Sequence, residues 1–384
     1  MGAISTRIGR GTTTVAMLAA ALALALGVAA CGDDTVGGGG DSEDVSTAKG
    51  GPVKGSLTIS NWPGYIDPGA KGTVAEFEKE TGVDIQYIED INDNNAFFGK
   101  LQPQLEQGES AGRSIFVVTD WMAKQMYDLG YLQEINHDDL PTVFENLSPS
   151  LESPSFDPER KFSVPWQSGM TGLWVDTAKA PDIRSVNDLF DPKYKGQVMV
   201  LEEMRDSVPL VMKGEGVDPA EATNEDWLKA IDKIKSAANS GQLRRFAGND
   251  YTEEMTAGNV VATLGWSGDS SLIENQNAEW RMPTEGCMLW SDNMVIPVGA
   301  PNTAAALGWM DFVYEPEVAV DMTEYITYVS PVEGVKELLE KSNPKLANDP
   351  LVIPTEEFQE NCSTQDSPPD VEEVSEAWAN TITG

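Results

Sequence analysis

The chain has 384 residues, with 62 acidic against 26 basic side chains and a formal net charge of −36 at pH 7. That balance argues against a nucleic-acid partner, because phosphate binding needs basic clusters. It would concentrate cations near the surface, or simply suit salty surroundings, and by itself it names no ligand. The only histidine, His137, sits in a polar Asn-His-Asp-Asp context that reads as an exposed helix start, so a Ser-His or Cys-His nucleophile pair has little to build on.

Residues 1–30 read as a signal peptide. Arg7 and Arg10 precede an apolar run from Val15 to Val28 that is too short to span a bilayer well. The run closes on Val28-Ala29-Ala30-Cys31, which resembles the lipobox of bacterial lipoproteins and makes Cys31 the expected lipid anchor. Residues 31–53 are rich in Gly and Asp and have nothing to bury, so they read as a tether; a flexible coil of about twenty residues would reach on the order of 25 Å. The expected location is the outer face of the cell membrane or the periplasm. There the remaining cysteines, Cys287 and Cys362, face an oxidising compartment and either form a disulfide or stay as two buried thiols.

About 330 residues follow, enough for two lobes with separate cores. Leu57-Thr58-Ile59 reads as a strand. Residues 73–81 read as a helix with capping-box spacing at Thr73 and Glu76 and a stop at Gly82. Asp84 to Ile88 alternates like a strand, a helical pattern follows from Phe97 to Leu105, and Ile115 to Val118 is an apolar run typical of a buried strand. The first lobe is thus βαβαβ. A second set has strands at Gly172–Val175, Val198–Leu201 and Val260–Leu264, with a long helix marked by Trp227, Leu228, Ile231 and Ile234 and ending near Gly241. The pattern is α/β.

Enzyme and metal motifs fall short. Gly265-Trp266-Ser267-Gly268-Asp269 begins like a nucleophile elbow but has Asp in place of the last Gly. Asp90 to Asn95 starts like a calcium loop, yet Asn95 replaces its Gly and Leu101 its closing Glu, so it reads as a loop leading into a helix. No P-loop or Gly-x-Gly-x-x-Gly follows a strand. No catalytic residue, metal or cofactor is assigned. What stands out is that aromatics and acids fall just past strand ends, where α/β sheets bind ligands. Trp62 and Tyr65 follow the first strand, Thr119 and Trp121 the third, Glu203 and Asp206 the 198–201 strand, and Trp266 the 260–264 strand, while Trp290 and Asp292 flank a crossing segment. Ring faces with carboxylates suit an ammonium ligand.

These residues carry a family resemblance. Asn61-Trp62-Pro63-Gly64-Tyr65-Ile66, Gly265-Trp266-Ser267-Gly268 and, above all, Leu289-Trp290-Ser291-Asp292-Asn293-Met294-Val295-Ile296-Pro297 resemble segments of the spermidine/putrescine-binding proteins of polyamine ABC importers. The resemblance implies a two-lobed type-II periplasmic-binding-protein fold with crossing hinge strands. Lobe one would take residues 55–169 plus 293–315, and lobe two residues 170–292 plus 316–384. It implies that Trp62, Tyr65, Trp121, Trp266, Trp290 and Tyr328 wall the aliphatic chain of a polyamine, that Glu203, Asp206 and Asp292 take its ammonium groups, and that Thr119 and Gln359 add polar contacts. Pro63 and Gly248 stand where the family pattern has hydroxyl residues, so the length of the ligand stays open. The implied partner is an ABC permease and the implied state a monomer. Two alternatives remain: another small cation, such as a quaternary ammonium or an amino acid, on the same fold, and a lipid-anchored hydrolase using two carboxylates.

Overall fold

The run Ile115-Phe116-Val117-Val118 has no polar face to offer solvent, and the sheet is built so that it never meets any: β3 (Ile115–Thr119) is buried along its whole length between β1 (Ser56–Asn61) and β9 (Met288–Val295). In this computed structural model, residues 46–67 and 69–384 are described. The remaining strands are β2 (Asp84–Glu89), β4 (Val164–Asp176), β5 (Val198–Leu201), β6 (Leu243–Ala247), β7 (Ala262–Trp266), β8 (Ala278–Arg281) and β10 (Ser363–Thr364). The main order is β2-β1-β3-β9-β4-β7-β5-β6, with β8 paired to β4 and β10 to β9.

Two parallel sets, β2-β1-β3 and β7-β5-β6, are joined through one long antiparallel pair, β4 and β9. The pair is shared. Residues 292–295 of β9 bond to β3, whereas residues 171–175 of β4 bond to β7. Each half of the molecule therefore uses one end of the same two strands, and the carboxyl ends of β1, β3, β5 and β7 face each other where the strands cross. Helices Thr73–Thr81 and Asn94–Leu105 serve the first half, and Met204–Gly214 and Asn224–Asn239 the second.

Several sequence expectations shift. The strand expected at Gly172–Val175 is the end of the thirteen-residue β4, whose polar Gln167, Ser168 and Thr171 hid its length although Gln167 and Thr171 are fully buried. Thr73 does not cap its helix but is its first residue; Gly72 holds the cap position, and Asp67 accepts from the Thr73 amide at 3.0 Å. The signal peptide and Cys31 lie outside the described residues, but the expected tether to residue 53 is too long. Thr47 bridges to Glu134, Ala48 is buried, and Val53 faces Gly308, because apolar side chains that find a surface dock on it. The chain after 315 also divides rather than joining the second half throughout. Val332 pairs with Leu147, whereas helix Val371–Ile382 packs on helix Asn224–Asn239. Cys287 and Cys362 are disulfide-bonded.

Candidate functional site

The strand ends line a nearly closed cavity. Tight turns out of apolar strands deliver its walls. Trp62 leaves β1 and is fixed by its indole N–H donating to the Val117 carbonyl at 3.1 Å. Trp266 ends β7 and Trp290 lies within β9. Edge-to-face contacts link Trp62 to Trp266 at 5.5 Å, Trp266 to Trp290 at 6.5 Å, Trp290 to Tyr328 at 5.4 Å and Tyr328 to Tyr65 at 5.1 Å. Gly169 lets Trp290 lie flat on β4, since a Cβ there would come within 2.5 Å of the indole.

Four carboxyl groups line this aromatic cavity: Glu203, Asp206, Asp269 and Asp292, all at most 5% exposed. Asp292 accepts from the Thr119 hydroxyl at 2.8 Å, and Thr119 accepts in turn from Asn94 at 2.8 Å. Glu203 caps helix Met204–Gly214 by accepting from the Arg205 amide at 3.2 Å, and its other oxygen accepts from Asn94 at 3.3 Å. Asp206 and Asp269 are more fully engaged. Thr171 (2.7 Å), the Trp266 indole (3.0 Å) and Gln365 (2.6 Å) donate to Asp206, while Tyr251 (2.5 Å), Tyr328 (2.7 Å) and Asn249 (3.2 Å) donate to Asp269. The Tyr65 hydroxyl lies near Asp292 but completes no hydrogen bond of ordinary geometry.

None of the four carboxylates forms an ion pair with lysine or arginine among the described residues. Arg205 exerts a smaller pull on Glu203, and its guanidinium lies over the Trp121 ring at 3.8 Å. Desolvation therefore dominates. Burial pushes Glu203 up to about 8, helped by the nearby Asp93 and Asp206 charges, and Asp292 up to about 7. Asp206 and Asp269 rise to about 6 for the same reason, against the donors that hold them. No three of these acids converge closely enough to hold a metal ion among the described residues. The arrangement is an array of separated acceptors between ring faces, suited to separated N–H cations on an apolar chain.

Of the residues singled out from the sequence, Trp62, Tyr65, Thr119, Glu203, Asp206, Trp266, Trp290, Asp292 and Tyr328 come together here. Trp121 and Gln359 do not. Both line a neighbouring groove, because Trp121 is the second residue of helix Asp120–Asp128, whose turn carries it off the face of Thr119, and Gln359 ends the short helix Glu356–Gln359 ahead of β10. Gln365 reaches the cavity instead. Sequence reasoning passed over Asn94, Asn249 and Asp269; Asp269 lies three residues past a strand end that also carries Trp266, which was signal enough. The Ser267 hydroxyl is tied to β4, accepting from the Met170 amide at 3.2 Å. His137 opens an exposed turn, with its ring against Phe144.

The mouth is narrow. The Asn92 carbonyl accepts from the Asn249 amide at 3.1 Å, and the Asn92 side chain accepts from the Asp250 amide at 3.2 Å, joining the two halves. Gly248 makes this approach possible, since a Cβ would fall 2.3 Å from the Asn92 carbonyl oxygen. The missing hydroxyl at Gly248 thus has a structural reason.

Comparison with known proteins gives a consistent picture. Residues 72–355 match the model of a family described as bacterial extracellular solute-binding protein. The chain is 29% identical over 321 residues to the spermidine/putrescine-binding periplasmic protein of Escherichia coli K12, covering 80% of this chain and 85% of that one. It is 26% identical over 298 residues to the putrescine-binding periplasmic protein PotF of the same organism, covering 72% and 77%. The crystal structure of the spermidine/putrescine ABC transporter substrate-binding protein PotD from Streptococcus pneumoniae superposes with a TM-score of 0.67 at 26% identity, covering 86% and 99%.

Proposed function

The chain belongs to the bacterial extracellular solute-binding proteins, and from that premise we propose that it captures a polyamine, spermidine or putrescine, between its two halves and delivers it to an ABC permease. One observation carries the reading: four buried carboxyl groups with no lysine or arginine ion pair among the described residues share a cavity with a chain of aromatic rings. Burying carboxylates without partners is costly. A ligand that brings its own cations offsets that cost. A polyamine carries ammonium groups separated by methylenes, which matches acids that do not converge on one point, and its apolar stretches meet the indole faces. The names of the relatives support the same ligand class.

Capture is by hinge closure and makes or breaks no covalent bond. The hinge lies where β4 and β9 pass from one half to the other, near 167–171 and 288–292. Trp62, Tyr65, Thr119 and Asp292 act from the first half, and Glu203, Asp206, Trp266 and Asp269 from the second. A quaternary ammonium could use the rings but has no N–H to donate to Asp292 and Glu203. The protein works as a monomer, held at the outer face of the cell membrane or in the periplasm through lipid on Cys31.

Calorimetric titration with spermidine, putrescine, betaine and arginine tests the proposal. One polyamine bound per chain, and more tightly than the other two ligands, is the expected result. Tighter binding of betaine or arginine, or no binding of either polyamine, would remove it.

A further inference from the structure

Gln365 lines the cavity from a short segment near the C-terminal end of the chain, and its attachment is unusual. Residues 361–364 run beside residues 286–289. Gly286 allows the first contact, since a Cβ there would collide with the Asn361 carbonyl. Cys287 and Cys362 are then covalently joined, the Ser363 amide donates to the Cys287 carbonyl at 2.9 Å, and Ser363 and Thr364 pair with Met288 and Leu289. The next residue is Gln365, whose amide donates to Asp206. Beyond it, the Asp370 amide donates to Asn224 at 3.0 Å, and in helix Val371–Ile382 the Trp378 indole donates to the Glu202 carbonyl at 2.7 Å.

A two-residue parallel strand formed across 75 residues of sequence contributes few hydrogen bonds and must offset the closure of a long loop. Pairing alone would hold such a strap weakly. We infer that the Cys287–Cys362 bond is a positioning device for ligand affinity: it pins residues 361–366 along β9 so that Gln365 sits on Asp206 and closes one side of the cavity. The carboxylate keeps Thr171 and Trp266 as donors when the strap leaves, so the body of the site survives while its wall opens. The Lys213 ammonium also donates to the Ser363 hydroxyl at 2.9 Å, which ties the strap to helix Met204–Gly214. The bond therefore acts on the same half that carries Glu203 and Asp206.

The affinity readout rests on the polyamine reading of the cavity; a second readout does not. In the Cys287→Ser/Cys362→Ser protein, amides 363–366 are expected to exchange with solvent at least tenfold faster while the core strands β3 and β7 keep their protection. Spermidine affinity is expected to fall on the order of tenfold, the loss of one hydrogen-bonded wall next to a charged group. Gln365→Ala in the disulfide-bonded protein is expected to show the same loss, and in the bond-free background almost none beyond it, because both changes remove one contact. Unchanged exchange at 363–366 together with affinity within twofold of wild type would overturn the inference, as would a Gln365→Ala loss of equal size in both backgrounds. Should wild type bind no polyamine, the proposed function fails, and exchange at 363–366 alone decides about the strap. Should the double variant not fold, the same exchange measurement on folded wild type with its bond reduced in place decides.

Discussion

Replacing Asp292 by Asn should move stability and affinity in opposite directions. Burial raises the Asp292 carboxyl from its ordinary value near 3.8 to about 7. A difference of that size corresponds to about 4 kcal/mol spent on keeping the group ionised in the empty, closed cavity. The sign follows from proton counting. Between about pH 4 and 7 the folded protein binds a proton at Asp292 that the unfolded chain has released, so stability falls as pH rises through that window and stays low above it. Asn removes the penalty and can still accept from the Thr119 hydroxyl, which now reaches Asp292 at 2.8 Å. Opening of the cleft lets water relieve part of the penalty in wild type, so the realised gain should be about 1–2 kcal/mol at pH 8, a few degrees in melting temperature. Affinity should fall by about 2–5 kcal/mol, roughly thirtyfold to several thousandfold, because an ammonium loses its carboxylate in a dry site. Calorimetric melting without ligand, from pH 5 to 8, and spermidine titration at pH 8 read the two effects. If Asp292 is a structural group in a strand, the variant melts lower at every pH and keeps its affinity; that outcome would refute the reasoning.

The cavity makes two further predictions and the lipobox a third. Trp290→Ala should weaken spermidine binding by more than the cation–π contribution of about 0.5–2 kcal/mol, since packing against Tyr328 and Trp266 is lost too; affinity unchanged in a folded variant would place the indole in the core only. Gly248→Ala should hold the mouth open at Asn92, lowering affinity while the melting temperature without ligand changes by no more than a degree or two, and small-angle scattering with spermidine should show incomplete compaction. Cys31→Ala should abolish lipid labelling in cells; a variant still labelled and membrane-bound would remove the anchor assignment.

Much of the site was legible because its strands are short apolar runs with hard ends. Residues 115–118 and 198–201 announce β3 and β5, and Thr119, directly past the first run, and Glu203, two residues past the second, both line the crevice between the halves. Periodicity failed where burial is two-sided. β4 mixes polar with apolar residues because it lies at the crossing, where Ser168 and Thr171 find partners in Ser291 and Asp206. Trp121 was misplaced because strand-end position says nothing about the helix that begins one residue later and turns the indole away. Asn94 and Asp269 were noticed for other chemistry, an incomplete calcium loop and an incomplete nucleophile elbow, and the use of Asn94 in the cavity depends on its contact across to Glu203. Gln365 could not have been preferred to Gln359 from sequence, since its place is set by β10 and by the cysteine pairing.

The most direct test of the account is a crystal structure of the protein grown with spermidine. The account predicts the ligand inside the cavity, with one terminal ammonium about 3 Å from Asp292, another nitrogen at the same distance from Glu203 or Asp206, and methylenes against the Trp290 and Trp266 rings. A structure with the mouth closed at Asn92 and Gly248 and the cavity holding no polyamine, or with the amines turned away from all four acids, would contradict it.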